Sequence, residues 1–184
     1  MKTLIINGSP RPQGNTAALI AELRRHLPGE VAEISAFRAN IAPCVDCRGC
    51  WQTAQCVVED DMQTLYADDF DCLVLASPVY FGTLPGQVLN LMRRLQPWHA
   101  ATYFLKQPLQ LRPKKAGVIL TGGGKNNLDL ARHHIRAMCR MLGADWEGAL
   151  WATSTQTDAV PAWEDAQALD AVRQMARRLA EHHD

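Results

Sequence analysis

Short apolar runs alternate with longer amphipathic ones along the chain, and the two periods separate strands from helices. The run "KTLIIN" reads as a buried strand, and "NTAALIAELRRHL" spaces Leu19, Leu23 and Leu27 along one face of a helix. "GEVAEISA" alternates as a second strand does, and "DDMQTLYADD" reads as a short helix whose first turn carries acids. "DCLVLASPVYF" is the most hydrophobic run, a central strand closing in a Ser-Pro turn. "GTLPGQVLNLMRRLQ" predicts a helix from about Pro85, since proline suits a first helical turn. "KKAGVILTGGG" is a strand ended by glycines, "NNLDLARHHIRAMCRMLGA" a helix with glycine near its end, and "DWEGALWAT" the fifth strand. The last segment predicts a helix with Trp163, Ala166, Leu169, Val172, Ala176 and Leu179 on one stripe.

Five strands alternating with helices specify an α/β domain, a parallel sheet covered on both faces. No repeat or composition break divides residues 1–184, so they read as one domain. The one long connection is "PWHAATYFLKQPLQLRP", and loops of that length serve a site or an interface. Ligands of such sheets bind at the carboxyl ends of strands. Attention therefore falls on the loops after "TLIIN", "LVLA" and "GVILT".

Charge removes some classes of function. Lys plus Arg and Asp plus Glu both number 19, so no basic footprint for nucleic acid or an anionic membrane is visible. The apolar run at the start is too short for a signal peptide, and no segment approaches a membrane span. A cytoplasmic protein is expected, and there six cysteines argue for metal, redox or burial rather than a disulfide framework.

In the first loop, "GSPRPQGNT", Ser9, Asn15 and Thr16 offer short polar side chains and Arg11 a fixed charge ahead of a helix amino terminus. That combination suits one phosphate monoester, although an Asn or Thr helix cap would explain it as well. Neither a P-loop nor a G-x-G-x-x-G fingerprint occurs. The second loop, "SPVYFGTLPG", is stiffened by proline, and Tyr80 and Phe81 either flank a flat ring or pack under the loop. The third, "TGGGKNN", leaves room for close approach of a ligand. Together they suit a flat, phosphorylated cofactor.

"NGSPRPQGNT" with "ASPVYFGTLPGQ" resembles the NADPH-dependent FMN reductase-like branch of the flavodoxin-like fold. "PCVDCRGCWQTAQCVVEDDM" is similar to the iron–sulfur flavoproteins and their cluster-free relatives. The resemblance implies strand order 2-1-3-4-5 and bound FMN, with NAD(P)H as co-substrate. It assigns Ser9, Arg11, Gly14, Asn15 and Thr16 to the phosphate and ribityl end of FMN. Pro78, Val79, Tyr80, Phe81 and Gly82 would line the isoalloxazine, and Thr121, Gly122, Gly123 and Gly124 would close its other side. It also implies a homodimer or tetramer, and chemistry carried by the flavin with no catalytic side chain.

Cys44, Cys47, Cys50 and Cys56 form a C-x2-C-x2-C-x5-C run within the cysteine-rich loop 42–58. Four closely repeated cysteines are a ligand pattern of [4Fe–4S] clusters. Free thiols beside the flavin remain open, because cluster-free relatives keep the pattern and Trp51 resembles theirs. Zinc sites more often present two separated pairs, and a disulfide is disfavoured in the cytosol. Cys72 and Cys139 read as small core residues. Asp60 and Asp61 read as helix-start acids, Lys125 as a solvated lysine, His133 and His134 as helix residues without a metal role, and His182 and His183 as a frayed end. The resulting expectation is an FMN-dependent NAD(P)H oxidoreductase that reduces a small quinone, flavin, nitro or azo acceptor. An electron carrier with FMN, [4Fe–4S] and a ferredoxin-like partner is the alternative, and a cysteine-loop redox sensor a third.

Overall fold

The computed structural model describes residues 1–107, 109–124 and 127–181. The strands are β1 (Lys2–Asn7), β2 (Glu30–Ser35), β3 (Cys72–Pro78), β4 (Lys115–Thr121) and β5 (Leu150–Ser154). The helices are α1 (Asn15–His26), α2 (Cys50–Thr53), α3 (Gln63–Tyr66), α4 (Gly86–Arg93), α5 (Gln96–Tyr103), α6 (Asp129–Met141) and α7 (Ala166–Ala180). Every strand pair is parallel, in the order β2-β1-β3-β4-β5. This is the flavodoxin-like α/β architecture that the sequence implied.

Alternation along the strands builds two cores. Leu4, Ile6, Leu73 and Leu75 face one side with Val88 and Leu91 of α4 and Ile135 and Met138 of α6. Ile5 and Val74 face the other with Leu19 and Leu23 of α1 and Val172 and Leu179 of α7. Cys72 and Cys139 are buried, and burial pushes the Cys139 thiol up to about 12, which leaves it inert.

Several predicted boundaries move. The long connection after α4 is helical over Gln96–Tyr103, begun by Pro97 in the first turn and anchored by the buried Trp98. Pro85 stands outside α4 as its extended N-cap. Ser77 and Pro78 still pair with Leu120 and Thr121, so the turn after β3 comes later than the Ser-Pro dipeptide suggested. The stripe on α7 also begins later, because the Asp165 carboxylate accepts from Ala168 N and Ser154 Oγ and so fixes the helix start. Trp163 and Ala166 consequently lie exposed, and Ala168, Val172, Met175, Ala176 and Leu179 form the buried face. Lys125, His182 and His183 lie outside the described residues. Among the described residues no helix is long and apolar enough to cross a membrane.

Candidate functional site

A parallel sheet brings the loops after β1, β3 and β4 to one edge, and hydrogen bonds tie them together there. Gly8 N donates to Ala76 O at 2.7 Å, so the first loop crosses close over β3. A Cβ at Gly8 would stand 2.6 Å from Val88 Cγ2 and 2.7 Å from Ser77 Oγ, which only glycine avoids. The Asn7 carboxamide then accepts from Ser9 N at 2.9 Å, and Ser9 Oγ accepts from Arg11 N at 3.2 Å. Ser9 is thereby buried beneath the loop, while Arg11 projects into solvent.

Neither Asn15 nor Thr16 caps α1. The N-cap is Gly14, and it makes no side-chain bond. Asn15 Oδ1 instead accepts from Ala162 N at 2.8 Å, and Thr16 Oγ1 meets Thr121 Oγ1 at 2.7 Å in the interior. The N–H groups of Asn15, Thr16 and Ala17 therefore point out of the helix with no acceptor among the described residues. With the helix dipole behind them, such donors attract an anion. The helix-cap explanation of this loop does not hold.

After β3, Pro78 and Val79 are buried and Val79 N donates to Thr121 O at 2.8 Å. Tyr80 and Thr83 exchange backbone bonds of 3.0 Å, which lifts Phe81 and Gly82 out as a tight turn. Both turn residues have positive φ, 51° at Phe81 and 78° at Gly82. Phe81 is fully exposed and Tyr80 is 44% exposed, so neither packs beneath its own loop. The turn is braced from below, since Ala131 N donates to Gly82 O at 3.1 Å and Thr83 Oγ1 lies 3.5 Å from His134 Nδ1.

In the third loop Gly122 is buried, donating to Ser154 O and accepting from Thr157 N, each at 2.9 Å. Gly123 lies against the Asp158 carboxylate, and Gly124 faces open space. The structure thus gathers the fourteen predicted cofactor residues at one edge in two layers. Thr16, Pro78, Val79, Thr121 and Gly122 form a buried floor. Arg11, Tyr80, Phe81 and Gly124 reach the surface above it.

The cysteine loop follows β2 and packs against the end of α4 and the start of α5. Cys44 and Cys47 are exposed, and Cys50 and Cys56 half-buried. Among the described residues no three His, Cys, Asp or Glu side chains are placed to hold one metal ion. All four cysteines nevertheless line a single small pocket, spread around its wall. Burial, with the three other thiols nearby, pushes the Cys50 thiol above its ordinary pKa. Trp51 packs against Phe104 in a tilted pair with centroids 4.3 Å apart, and the Arg48 guanidinium lies 4.9 Å from its ring.

One site feature escaped the sequence reading. Asp60 is no simple helix-start acid, because its carboxylate grips Arg94 at 2.5 Å with both side chains almost wholly buried. Burial opposes the charge on Asp60, yet the Arg94 hydrogen bonds and the Met62 and Ala42 N–H groups hold its carboxyl below the usual range. The signal was present in the helix period. Arg94, the C-cap residue of α4, follows the buried Leu91 by three positions, which continues the buried side of the helix into its cap.

This edge, where the uncapped terminus of α1 and the exposed Tyr80–Phe81 turn meet, is the strand-end position at which flavodoxin-like sheets bind ligands. The family model for NADPH-dependent FMN reductase matches residues 1–158, and the chain belongs to that family. Among curated relatives, an iron–sulfur flavoprotein of Methanocaldococcus jannaschii is 34% identical over 131 residues, 68% of this chain and 64% of that one. The chain thus spans just under two thirds of that relative's length. An iron–sulfur flavoprotein of Archaeoglobus fulgidus is 28% identical over 96% of this chain and 94% of its own. Among solved structures, an NAD(P)H:quinone oxidoreductase from Methanothermobacter marburgensis superposes with TM-score 0.71 at 17% identity, covering 100% of this chain and 99% of that one. An FMN-dependent NADH-azoreductase from Bacillus anthracis, solved with FMN, gives TM-score 0.66 at 15% identity over 98% of this chain and all of its own. At such identities the two structures establish the fold.

Proposed function

We propose that the chain is an FMN-dependent NAD(P)H oxidoreductase that passes electrons to a small acceptor such as a quinone, a free flavin or a nitro or azo compound. The carrying observation is the bare amino terminus of α1, whose free N–H groups stand beside Ser9 and Arg11 at the strand edge. In this reading those groups hold the FMN phosphate, and Asn15 and Thr16 fix the helix they belong to. Phe81 and Gly82 present N–H groups without partners among the described residues, next to where the ring would lie. Such donors favour negative charge developing there. Bound FMN supplies hydride acceptance and onward electron delivery. The exposed Tyr80 and Phe81 suit a homodimer whose partner covers this edge, and the exposed thiols Cys44 and Cys47 suit the reducing cytoplasm. The test compares FMN with riboflavin. Phosphate hydrogen bonds at the helix terminus should make FMN bind about tenfold tighter or more, and equal affinities would remove the phosphate site.

A second reading adds a [4Fe–4S] cluster on Cys44, Cys47, Cys50 and Cys56. It is favoured by the four thiols sharing one pocket that Arg94 also lines. A cleft of about 700 Å³ on the other side of Cys56, walled by Gln63, Tyr66 and Trp98, has the size of a small-molecule site and would admit an acceptor there. Iron and acid-labile sulfide in anaerobically purified protein decide this reading.

A further inference from the structure

Arg94 lies beneath the cysteine loop, its side chain 1% exposed. Nη1 donates to Asp60 Oδ2 at 2.5 Å and to Ala42 O at 2.8 Å. Nη2 serves Asp60 Oδ1 at 3.2 Å, Val58 O at 3.4 Å and Cys56 Sγ at 3.4 Å. Nε is buried and has no partner among the described residues.

Part of this arrangement is a staple. Ala42 and Val58 stand at the two ends of the cysteine loop, and Arg94 ties both carbonyls to α4. A staple explains neither the N–H aimed at a sulfur nor the unused Nε in a side chain that lines the thiol pocket. Buried donors without acceptors are costly, and an anionic sulfur at Cys56 would give Nη2 a charged acceptor in place of a neutral thiol. Asp60 neutralises most of the guanidinium's charge, so what Arg94 offers the pocket is directed hydrogen bonds rather than net charge.

We propose that Arg94 is the positioning residue of an iron–sulfur centre on Cys44, Cys47, Cys50 and Cys56, donating to the Cys56 sulfur and raising the centre's reduction potential. The inference rests on the cluster reading given above. Hydrogen bonds to ligand sulfurs stabilise the more negative, reduced form and set cluster potentials over a wide range. The reaction read out is a one-electron reduction of the centre by an added chemical reductant.

The test uses full-length protein reconstituted anaerobically, comparing wild type with R94K and with the double variant D60N/R94M. R94K keeps the charge and the Asp60 pair but loses the planar fork. D60N/R94M removes both charges at once, so no buried ion is stranded. Iron and sulfide are assayed first, and the midpoint potential is then followed by electron paramagnetic resonance. Both variants should hold iron at the wild-type ratio with a midpoint shifted to more negative potential. Full iron with an unchanged midpoint overturns the inference and leaves the cluster reading standing. Loss of iron from both variants while they remain folded reduces Arg94 to a loop staple and also overturns it. A wild type that takes up no iron overturns the cluster reading, and this inference with it.

Discussion

The Thr16 hydroxyl, in the first turn of α1, lies 2.7 Å from the Thr121 hydroxyl at the end of β4, and both residues are buried. One bond thus joins the start of α1 to the end of β4 beneath the strand-end loops. T16V would strand the Thr121 hydroxyl and should cost about 1–3 kcal/mol. T16V/T121V, which removes both partners, should cost less than the sum of the single changes. Urea midpoints of the four proteins check this, and strict additivity would deny the bond.

Gly8 has no room for a side chain between Ser77 and Val88. G8A should cost about 1–3 kcal/mol through overpacking and push the first loop off β3. The purified variant should carry a smaller flavin fraction than wild type by absorbance. Full flavin content with unchanged melting would contradict the close crossing.

Phe81 is fully exposed at a left-handed φ of 51°. F81G removes strain of about 1–2 kcal/mol and sacrifices no burial within the protomer. Thermal melting of the flavin-free protein should therefore rise. FMN affinity, or dimer formation in sedimentation experiments, should fall if Phe81 serves the ring or a partner subunit. A melting temperature lower than wild type would show that Phe81 packs somewhere.

Arg94 and Asp60 form a pair with nearly no solvent contact. D60A strands the guanidinium and should destabilise the protein by about 3–5 kcal/mol. The charge-free D60N/R94M should recover most of that loss. Chemical denaturation measures both.

Glu22 is held by Arg173 Nε at 2.6 Å, with Arg25 and His26 also on its carboxylate. The Arg173 hydrogen bond, against the cost of burial, keeps its carboxyl below the ordinary glutamate value. A depressed carboxylate stabilises the fold above the unfolded pKa, about 4.3, and that contribution disappears as pH falls through the folded value. Wild type should lose stability steeply below about pH 4.3. E22Q should be weaker at neutral pH, by about 1.5–3 kcal/mol, and flatter on the acid side. Parallel acid limbs in the two proteins would exclude Glu22.

The strands, most of the helices and the three strand-end loops were legible because each depends on local period and turn chemistry. "LVLA" is buried on both faces wherever it lies in a parallel sheet, and glycines after a strand mark a turn in any context. The cysteine spacing was equally plain. Boundaries fared worse where a distant residue decides them, as at α7, whose start depends on Asp165 reaching Ser154.

Sequence alone thus determined the α/β class and the strand edge at which the candidate loops gather. Tertiary structure decided what each polar side chain does. Asn15 reaches Ala162 rather than capping α1, Thr16 turns inward to Thr121, and Asp60 pairs with Arg94 across 34 residues of chain. A backbone period follows from neighbours in sequence, whereas a hydrogen-bond partner is whatever acceptor or donor the packed fold brings within about 3 Å.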